Sequence, residues 1–270
     1  MQQFISEKEN AKKMPRFKYF LEMEDLSTNV YNWEDPNPPP ILEEHNGFVV
    51  VRDDLLEGGS KIRFADYLIS SQPEIKEWVY GSSPATGYAQ ISLACLCKKY
   101  GKKAVIFMAD RAWDRLHDYQ VEAMRQGADM RFVPNGMLSV TEKRARDYVE
   151  KDWRQRHLLP IGFDHPSVII SISMVAKNIE CNPSEVWTVG SSGTLTRGLQ
   201  LAWPDADFHC VTVGHKGDYG RATTYRCETP FNKEAKVKPP FPSAPTYDAK
   251  AWEFMKEHAS PGALFWNVGA

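Results

Sequence analysis

Val186-Trp187-Thr188-Val189-Gly190-Ser191-Ser192-Gly193-Thr194-Leu195-Thr196-Arg197-Gly198 is an apolar run that passes through a glycine-serine turn into helix-forming residues. A strand that turns this way into a helix presents backbone N–H groups and the positive helix end to an anion. The hydroxyls of Ser191, Ser192 and Thr194 add donors without adding charge. No Gly-Lys-Ser/Thr follows, so this is not a Walker A loop, and the lack of GxGxxG disfavours a dinucleotide site. The reading is a single terminal phosphate held by Gly190, Ser191, Ser192, Gly193 and Thr194. An ordinary capped strand–helix turn is the plain alternative.

Outward from this turn, strand and helix patterns alternate. Strands are expected over 48–52, 77–80, 103–108, 129–133, 185–189, 208–213 and 263–267. Helices are expected over 61–71, 87–100, 114–126, 140–152, 166–178, 194–203 and 248–258, with 229–245 a Pro- and Lys-rich loop. This order predicts an α/β fold with a largely parallel sheet. Residues 81–152 form a compact βα unit, expected as a smaller domain inserted in a larger one of 47–80 plus 153–270. Residues 1–46 read as an irregular lead-in, because Asp35-Pro36-Asn37-Pro38-Pro39-Pro40 continues neither helix nor central strand.

The 270 residues carry 33 Lys and Arg against 35 Asp and Glu, a net charge of −2, with 42% hydrophobic residues. That excludes a globally basic nucleic-acid coat and an acidic disordered chain. No apolar run approaches the ~18–20 residues of a membrane span. The N-terminus lacks the apolar core of a signal peptide. Five cysteines, an odd number without a CxxC or His/Cys cluster, predict reduced cytoplasmic thiols and no metal site.

Glu57-Gly58-Gly59-Ser60-Lys61 is the second chemical feature. The glycines permit a sharp turn and Ser60 is a good N-cap. Lys61 then shares a helix face with Phe64 and Ala65. Burial there lowers an ammonium pKa, which suits a Schiff-base lysine; a lysine that snorkels to solvent is the alternative. A further polar turn, Ser82-Ser83-Pro84-Ala85-Thr86-Gly87, leads into a helix and could hold a carboxylate. Tyr247-Asp248 precedes the last helix, where Asp248 also reads as a simple N-cap. His165 sits on a glycine turn, as a site residue or as an exposed loop histidine.

Taken in order, Gly-Gly-Ser-Lys, Ser-x-x-Thr-Gly, Gly-Ser-Ser-Gly-Thr and Tyr-Asp-x-Lys resemble the tryptophan-synthase-β-like family over residues 47–270. These are the fold-type II pyridoxal-phosphate enzymes: cysteine synthases, threonine deaminases, and the aminocyclopropane-carboxylate deaminase and cysteine desulfhydrase group. The resemblance implies a two-domain parallel-sheet fold, pyridoxal 5'-phosphate as cofactor and a homodimer. It implies that Lys61 bears the cofactor and moves protons at the substrate Cα, and that Gly190 to Thr194 hold the phosphate. Ser82, Ser83, Thr86 and Gly87 would face the substrate carboxylate, with His165 and Tyr247 also toward substrate. Asp248 would meet the pyridine nitrogen, which favours chemistry through a delocalised carbanion, such as deamination or decarboxylation. Pro84 and Ala85 stand where the family commonly places the Asn that bonds the ring hydroxyl, which leaves the reaction type open.

The leading expectation is a lyase-type enzyme acting on an amino acid by deamination, elimination or decarboxylation. A second keeps the cofactor but places the aminoacyl group on a modified nucleotide or nucleic acid, with nucleic acid as substrate carrier only. The chain is short for this family, suggesting an open cleft, and residues 233–238 form a basic loop. A third is a catalytically inactive phosphate-ligand-binding module on the same fold.

Overall fold

The computed structural model describes residues 30–134, 136–214 and 216–270. Residues 1–29 of the expected lead-in lie outside the described residues. The strands are β1 (Leu42–His45), β2 (Phe48–Arg52), β3 (Glu77–Tyr80), β4 (Lys103–Ala109), β5 (Asp129–Val133), β6 (Arg156–Leu159), β7 (Glu185–Gly190), β8 (Asp207–Thr212), β9 (Thr223–Arg226) and β10 (Leu264–Asn267). They form a six-stranded sheet in the order β1-β2-β10-β7-β8-β9 and a four-stranded sheet in the order β5-β4-β3-β6. Every described pairing is parallel except β1 with β2. Parallel strands covered on both faces read as continuous apolar runs, and β10 is buried at all four positions.

Three strands depart from the expected order. β1 lies inside the stretch read as irregular, and it pairs with β2 across a turn in which Asn46 and Gly47 both have positive φ (53° and 80°). β6 and β9 are four-residue strands within stretches that carried no strand expectation. β6 also bears on the inserted unit: the four-stranded sheet takes β3 and β6 from outside 81–152. Its apolar side chains join those of the larger sheet in one core, with Trp78 and Leu159 in the same cluster as Val186 and Trp266.

The helices are α1 (Ser60–Phe64), α2 (Asp66–Ser70), α3 (Ala89–Lys99), α4 (Asp118–Arg125), α5 (Leu138–Glu150), α6 (Pro166–Lys177), α7 (Thr194–Ala202) and α8 (Ala251–His258). The single helix expected over 61–71 divides at Ala65, which leaves helical geometry at φ −96° and ψ 2°. Buried Asp66 then opens α2 and accepts bonds from Trp33, Lys99 (2.7 Å) and Tyr100. Of the helix expected over 114–126, only α4 is α-helical; residues 113–115 form a 3-10 turn instead.

Because the strands run parallel, the loops at their carboxyl ends emerge on a common edge, where α/β proteins place their ligands. Loops after β2, β6, β7 and β10 all reach one cleft. No described helix is long and apolar enough to cross a membrane. All five cysteines are free thiols.

Candidate active site

Lys61 lines a cleft with about 470 Å³ of space unfilled by protein atoms, alongside Phe64 and Ala65 of the same face. Gly190, Ser192, Gly193, Thr194 and Tyr247 line the same cleft. The loop carrying Lys61 is pinned from behind. Ser60 is not the N-cap; Gly59 holds that position at φ 69°. Ser60 Oγ instead donates to Asp53 Oδ2 (2.9 Å), which also accepts from Trp266 Nε1 (2.9 Å), while Arg63 donates to Asp53 Oδ1 (3.1 Å). The Ser60 N–H donates to the Val268 carbonyl (2.9 Å). Lys61 is thereby fixed to the ends of β2 and β10.

Lys61 is half-buried as a residue, yet surrounding protein displaces enough water to hold its ammonium below the usual lysine range. The negative charge of Asp248 opposes that shift. Asp248 is buried, and burial pushes its carboxyl up to about 8, against the pull of Lys61 and of the Val268 and Gly269 N–H groups. Its Oδ1 has no hydrogen-bond partner. Asp248 is also not the N-cap of the last helix: Tyr247 precedes a 3-10 turn over Asp248–Lys250 that leads into α8. A carboxylate oxygen left orphaned in the interior is costly unless something meets it.

The turn after β7 is held from two sides. The Ser191 N–H donates to Tyr247 Oη (3.1 Å), which itself donates to the Val189 carbonyl (3.3 Å). Tyr247, expected to face substrate, thus lines the cleft with its hydroxyl committed to the turn. On the other side the Asp218 N–H donates to the Ser192 carbonyl (3.1 Å), and Tyr219 Oη to the Ser191 carbonyl (3.2 Å). Gly193 sits at φ 86°, and a Cβ there would lie 1.8 Å from the Asp218 carbonyl oxygen. Gly193→Ala is expected to weaken pyridoxal-phosphate uptake on the order of 100-fold, since strain and backbone overlap both act on the turn. Titration of the visible absorbance checks this.

The remaining expected residues are placed differently. Ser82, Ser83, Thr86 and Gly87 do not line this cleft. The Ser82 hydroxyl donates to Glu142 Oε1 (2.6 Å), and Thr86 Oγ1 is buried without a partner. His165 is neither exposed nor in the cleft lining. It is 3% exposed and caps α6, its Nδ1 accepting from the Ser167 N–H (3.2 Å). Burial holds its pKa down at about 4. The folded state therefore releases the proton that the unfolded chain binds below about 6.5. Stability from this group is present above that value and is lost as pH falls toward about 4, by about 3 kcal/mol in all. Urea unfolding across this range should show that slope, and His165→Asn, which keeps an N-cap acceptor, should flatten it.

Two segments join the site without having been expected. Gly162 and Phe163, after β6, line the cleft, and a Cβ on Gly162 would lie 2.0 Å from Ser192 Oγ. Phe163 has φ 58°, uncommon for a bulky residue, with its ring edge-on to Tyr80 at 5.4 Å. The second segment is Gly217-Asp218-Tyr219, packed against the turn after β7. Glycines in both stretches were visible in the sequence, but only the packing shows what they approach. The basic loop 233–238 does not reach the cleft lining, and its Lys238 pairs with Glu234 (3.2 Å).

In fold, the chain matches solved fold-type II pyridoxal-phosphate enzymes. An ACC deaminase homologue superposes with a TM-score of 0.71 at 15% identity, over 90% of this chain and 94% of that one. The processed form of threonine deaminase isoform 2 from Solanum lycopersicum superposes with a TM-score of 0.61 at 14% identity, over 94% and 84% of the two chains. The chain has the fold-type II architecture.

In sequence, it is 25% identical over 277 residues to the glycyl-dTMP PLP-dependent decarboxylase of Pseudomonas phage M6, across 86% of this chain and 98% of that protein. No family model matches the chain.

Proposed function

We propose that this chain is a pyridoxal-phosphate-dependent lyase that decarboxylates an aminoacyl group carried on a thymidine nucleotide. The observation that carries it is the joining of three groups: Lys61 in the cleft, the Gly190–Thr194 turn beside it, and the orphaned Asp248 carboxylate coupled to Lys61. They fit the three handles of pyridoxal phosphate. The turn at the N-terminus of α7 suits the phosphate, Lys61 suits the aldehyde carbon, and Asp248 Oδ1 suits a protonated ring nitrogen. The same three groups favour an enzyme over an inactive binding module, since phosphate binding alone needs neither the lysine nor the acid.

When bound, the cofactor supplies an electron sink for the pair left on Cα. The chain's own residues do the rest. Asp248 holds a proton at the ring nitrogen, which keeps that sink strong. Thr86, a buried hydroxyl with no partner, is the side-chain donor its turn can still offer to a carboxylate. As the Cα–carboxylate bond breaks and carbon dioxide leaves, Lys61 returns a proton to Cα. Phe64 and Phe163 keep water from that carbon. Support for decarboxylation and for the nucleotide carrier comes from the M6 relative's name, and Asp248 suits carbanion chemistry of this kind.

We further propose two domains built on the two sheets, a homodimer and a cytoplasmic location, the last in keeping with five free thiols. Sedimentation of the holoprotein checks the dimer.

The test is reconstitution with pyridoxal phosphate, followed by carbon dioxide release from glycyl-dTMP and from free amino acids. A visible band fixed by borohydride and turnover of glycyl-dTMP are expected. A protein that takes up no pyridoxal phosphate overturns the reading, and turnover of free amino acids alone removes the nucleotide.

A further inference from the structure

Arg197 stands in the first turn of α7, directly after the Gly190–Thr194 stretch. Its backbone N–H donates to the Gly193 carbonyl (3.0 Å) and so closes that first turn. Its side chain, 22% exposed, ties two loops at once. Nη2 donates to Asp164 Oδ1 (2.6 Å) on the loop after β6, and Nε donates to the Asp218 carbonyl (3.1 Å) on the loop after β8. The Asp218 carboxylate lies 3.8 Å from the same Nε. Both loops press on the turn after β7, so one guanidinium joins its two flanks.

Each loop meets the turn where no side chain would fit. A Cβ on Gly162 would fall 2.0 Å from Ser192 Oγ, one on Gly193 1.8 Å from the Asp218 carbonyl oxygen, and one on Gly217 2.4 Å from the Ser192 carbonyl oxygen. At this packing a shift of either loop moves the turn. The loop after β8 has further ties to α7 and its end, through Gln200 Nε2 to the Tyr219 carbonyl (3.0 Å) and Arg221 to the Trp203 carbonyl (3.0 Å). The loop after β6 instead runs through Gly162 and Phe163 at consecutive positive φ (68° and 58°). A bulky residue in that region is strained, and its surroundings must hold it there. The Arg197–Asp164 pair is a charge-assisted tie from α7 to this strained loop. A guanidinium fork serves two acceptors at once, where an ammonium is a single point charge.

We propose that Arg197 is a positioning residue for the cofactor phosphate: its guanidinium clasps the loops after β6 and β8 against the Gly190–Thr194 turn and holds that turn in its binding shape before the phosphate arrives. The proposal rests on the pyridoxal-phosphate reading above and deepens it. Arg197 is absent from the cleft lining, so it acts through the turn rather than on the cofactor. A turn fixed in advance loses less conformational freedom when an anion binds, and the difference appears as affinity. Lys61 and Asp248, the groups assigned to the chemistry, sit on other elements, so loss of Arg197 should cost affinity more than turnover.

Pyridoxal-phosphate affinity is measured by absorbance titration. Hydrogen exchange of the Ser191 and Asp218 N–H groups, both bonded across the turn, is followed in the protein without cofactor. Arg197→Ala should weaken affinity on the order of 10-fold, the low end for a hydrogen bond to a charged group. It should also speed both exchanges. Asp164→Ala should give most of the same loss, and the double variant should add nothing to Arg197→Ala, since both break one tie. At saturating cofactor, kcat should fall less than affinity. Arg197→Lys keeps the charge without the fork and should stay weak. Full recovery with lysine overturns the clasp, because charge alone would then suffice; fully additive losses in the double variant overturn it too. Wild-type uptake with unchanged affinity and exchange in the Arg197→Ala and Asp164→Ala variants overturns the clasp and leaves the lyase reading intact. Wild-type protein that takes up no pyridoxal phosphate, but whose turn exchanges faster once Arg197 is lost, overturns the cofactor and leaves the clasp.

Discussion

Lys61→Ala protein mixed with pyridoxal phosphate will show no borohydride-fixable visible band, and decarboxylation will fall on the order of 10³-fold or more. In the proposed reaction two functions converge on this amine. It must be uncharged to add to a carbonyl, and it must then carry a proton at Cα. The protein around Lys61 lowers its pKa and so favours the uncharged amine. Alanine supplies neither function, and no other lysine among the described residues lines the cleft. Loss of a residue that serves both binding and chemistry is of this size in other covalent enzymes. Folding is not expected to suffer. An ammonium held away from water is a cost to the native state, so the apo-variant should melt at the wild-type temperature or above it. Lys61→Arg separates charge from nucleophilicity: guanidinium stays protonated, so this variant should be as inactive as alanine. A visible band in either variant would move the cofactor-bearing role elsewhere.

The extent to which this fold could be read from sequence follows from where its information is local. β2, β3 and β5 fall on their expected residues because short β-branched or aromatic runs bounded by turns specify strands without help from the rest of the chain. β9 is Thr-Thr-Tyr-Arg on an exposed edge, and its pairing with β8 makes it a strand. β1 is a different case. Leu-Glu-Glu-His has a weak strand pattern, but Asn46-Gly47 is a strong hairpin signal that the proline run before it obscured. At the site, the glycine turns before α1 and α7 are local features of the sequence, and the structure brings Lys61, Gly190 and Ser192 to Thr194 to one cleft. Gly162, Asp218 and Tyr219 could not be read locally, since their role is to press on a loop that is distant in sequence. His165 and Ser82 show the opposite limit. Both are polar residues on turns, and each has its polar group committed to a helix, α6 for His165 and α5 for Ser82. Ser60 and Asp248 each looked like a helix cap, yet tertiary partners claim both side chains.

Asp248→Asn is the sharper test of chemistry. The exchange preserves shape and leaves an amide oxygen to accept from the Val268 and Gly269 N–H groups, so the fold around β10 should persist. It removes the charge that would balance a protonated ring nitrogen. Electrostatic groups aimed at developing charge in a water-poor site are commonly worth about 10²–10³ in rate, and decarboxylation should fall on the order of that range. Cofactor uptake should survive, because Lys61 and the Gly190–Thr194 turn are untouched, and absorbance titration separates the two effects. The pH dependence carries a sign. In the wild type the Asp248 charge raises the Lys61 pKa against the lowering by burial. Without that charge Lys61 gives up its proton at lower pH, so the midpoint for pyridoxal-phosphate uptake should move downward in the variant. In the apo-protein, burial has pushed the Asp248 carboxyl up to about 8. A folded acid with a raised pKa binds its proton more tightly than the unfolded chain does. Its presence therefore costs stability as pH rises from about 4 to about 8. The asparagine variant lacks that cost, so its apo-form should lose less stability than the wild type over this range. A variant with full turnover and an unshifted uptake midpoint would place Asp248 outside the chemistry, as a carboxyl buried only to tie β10 to the last helix.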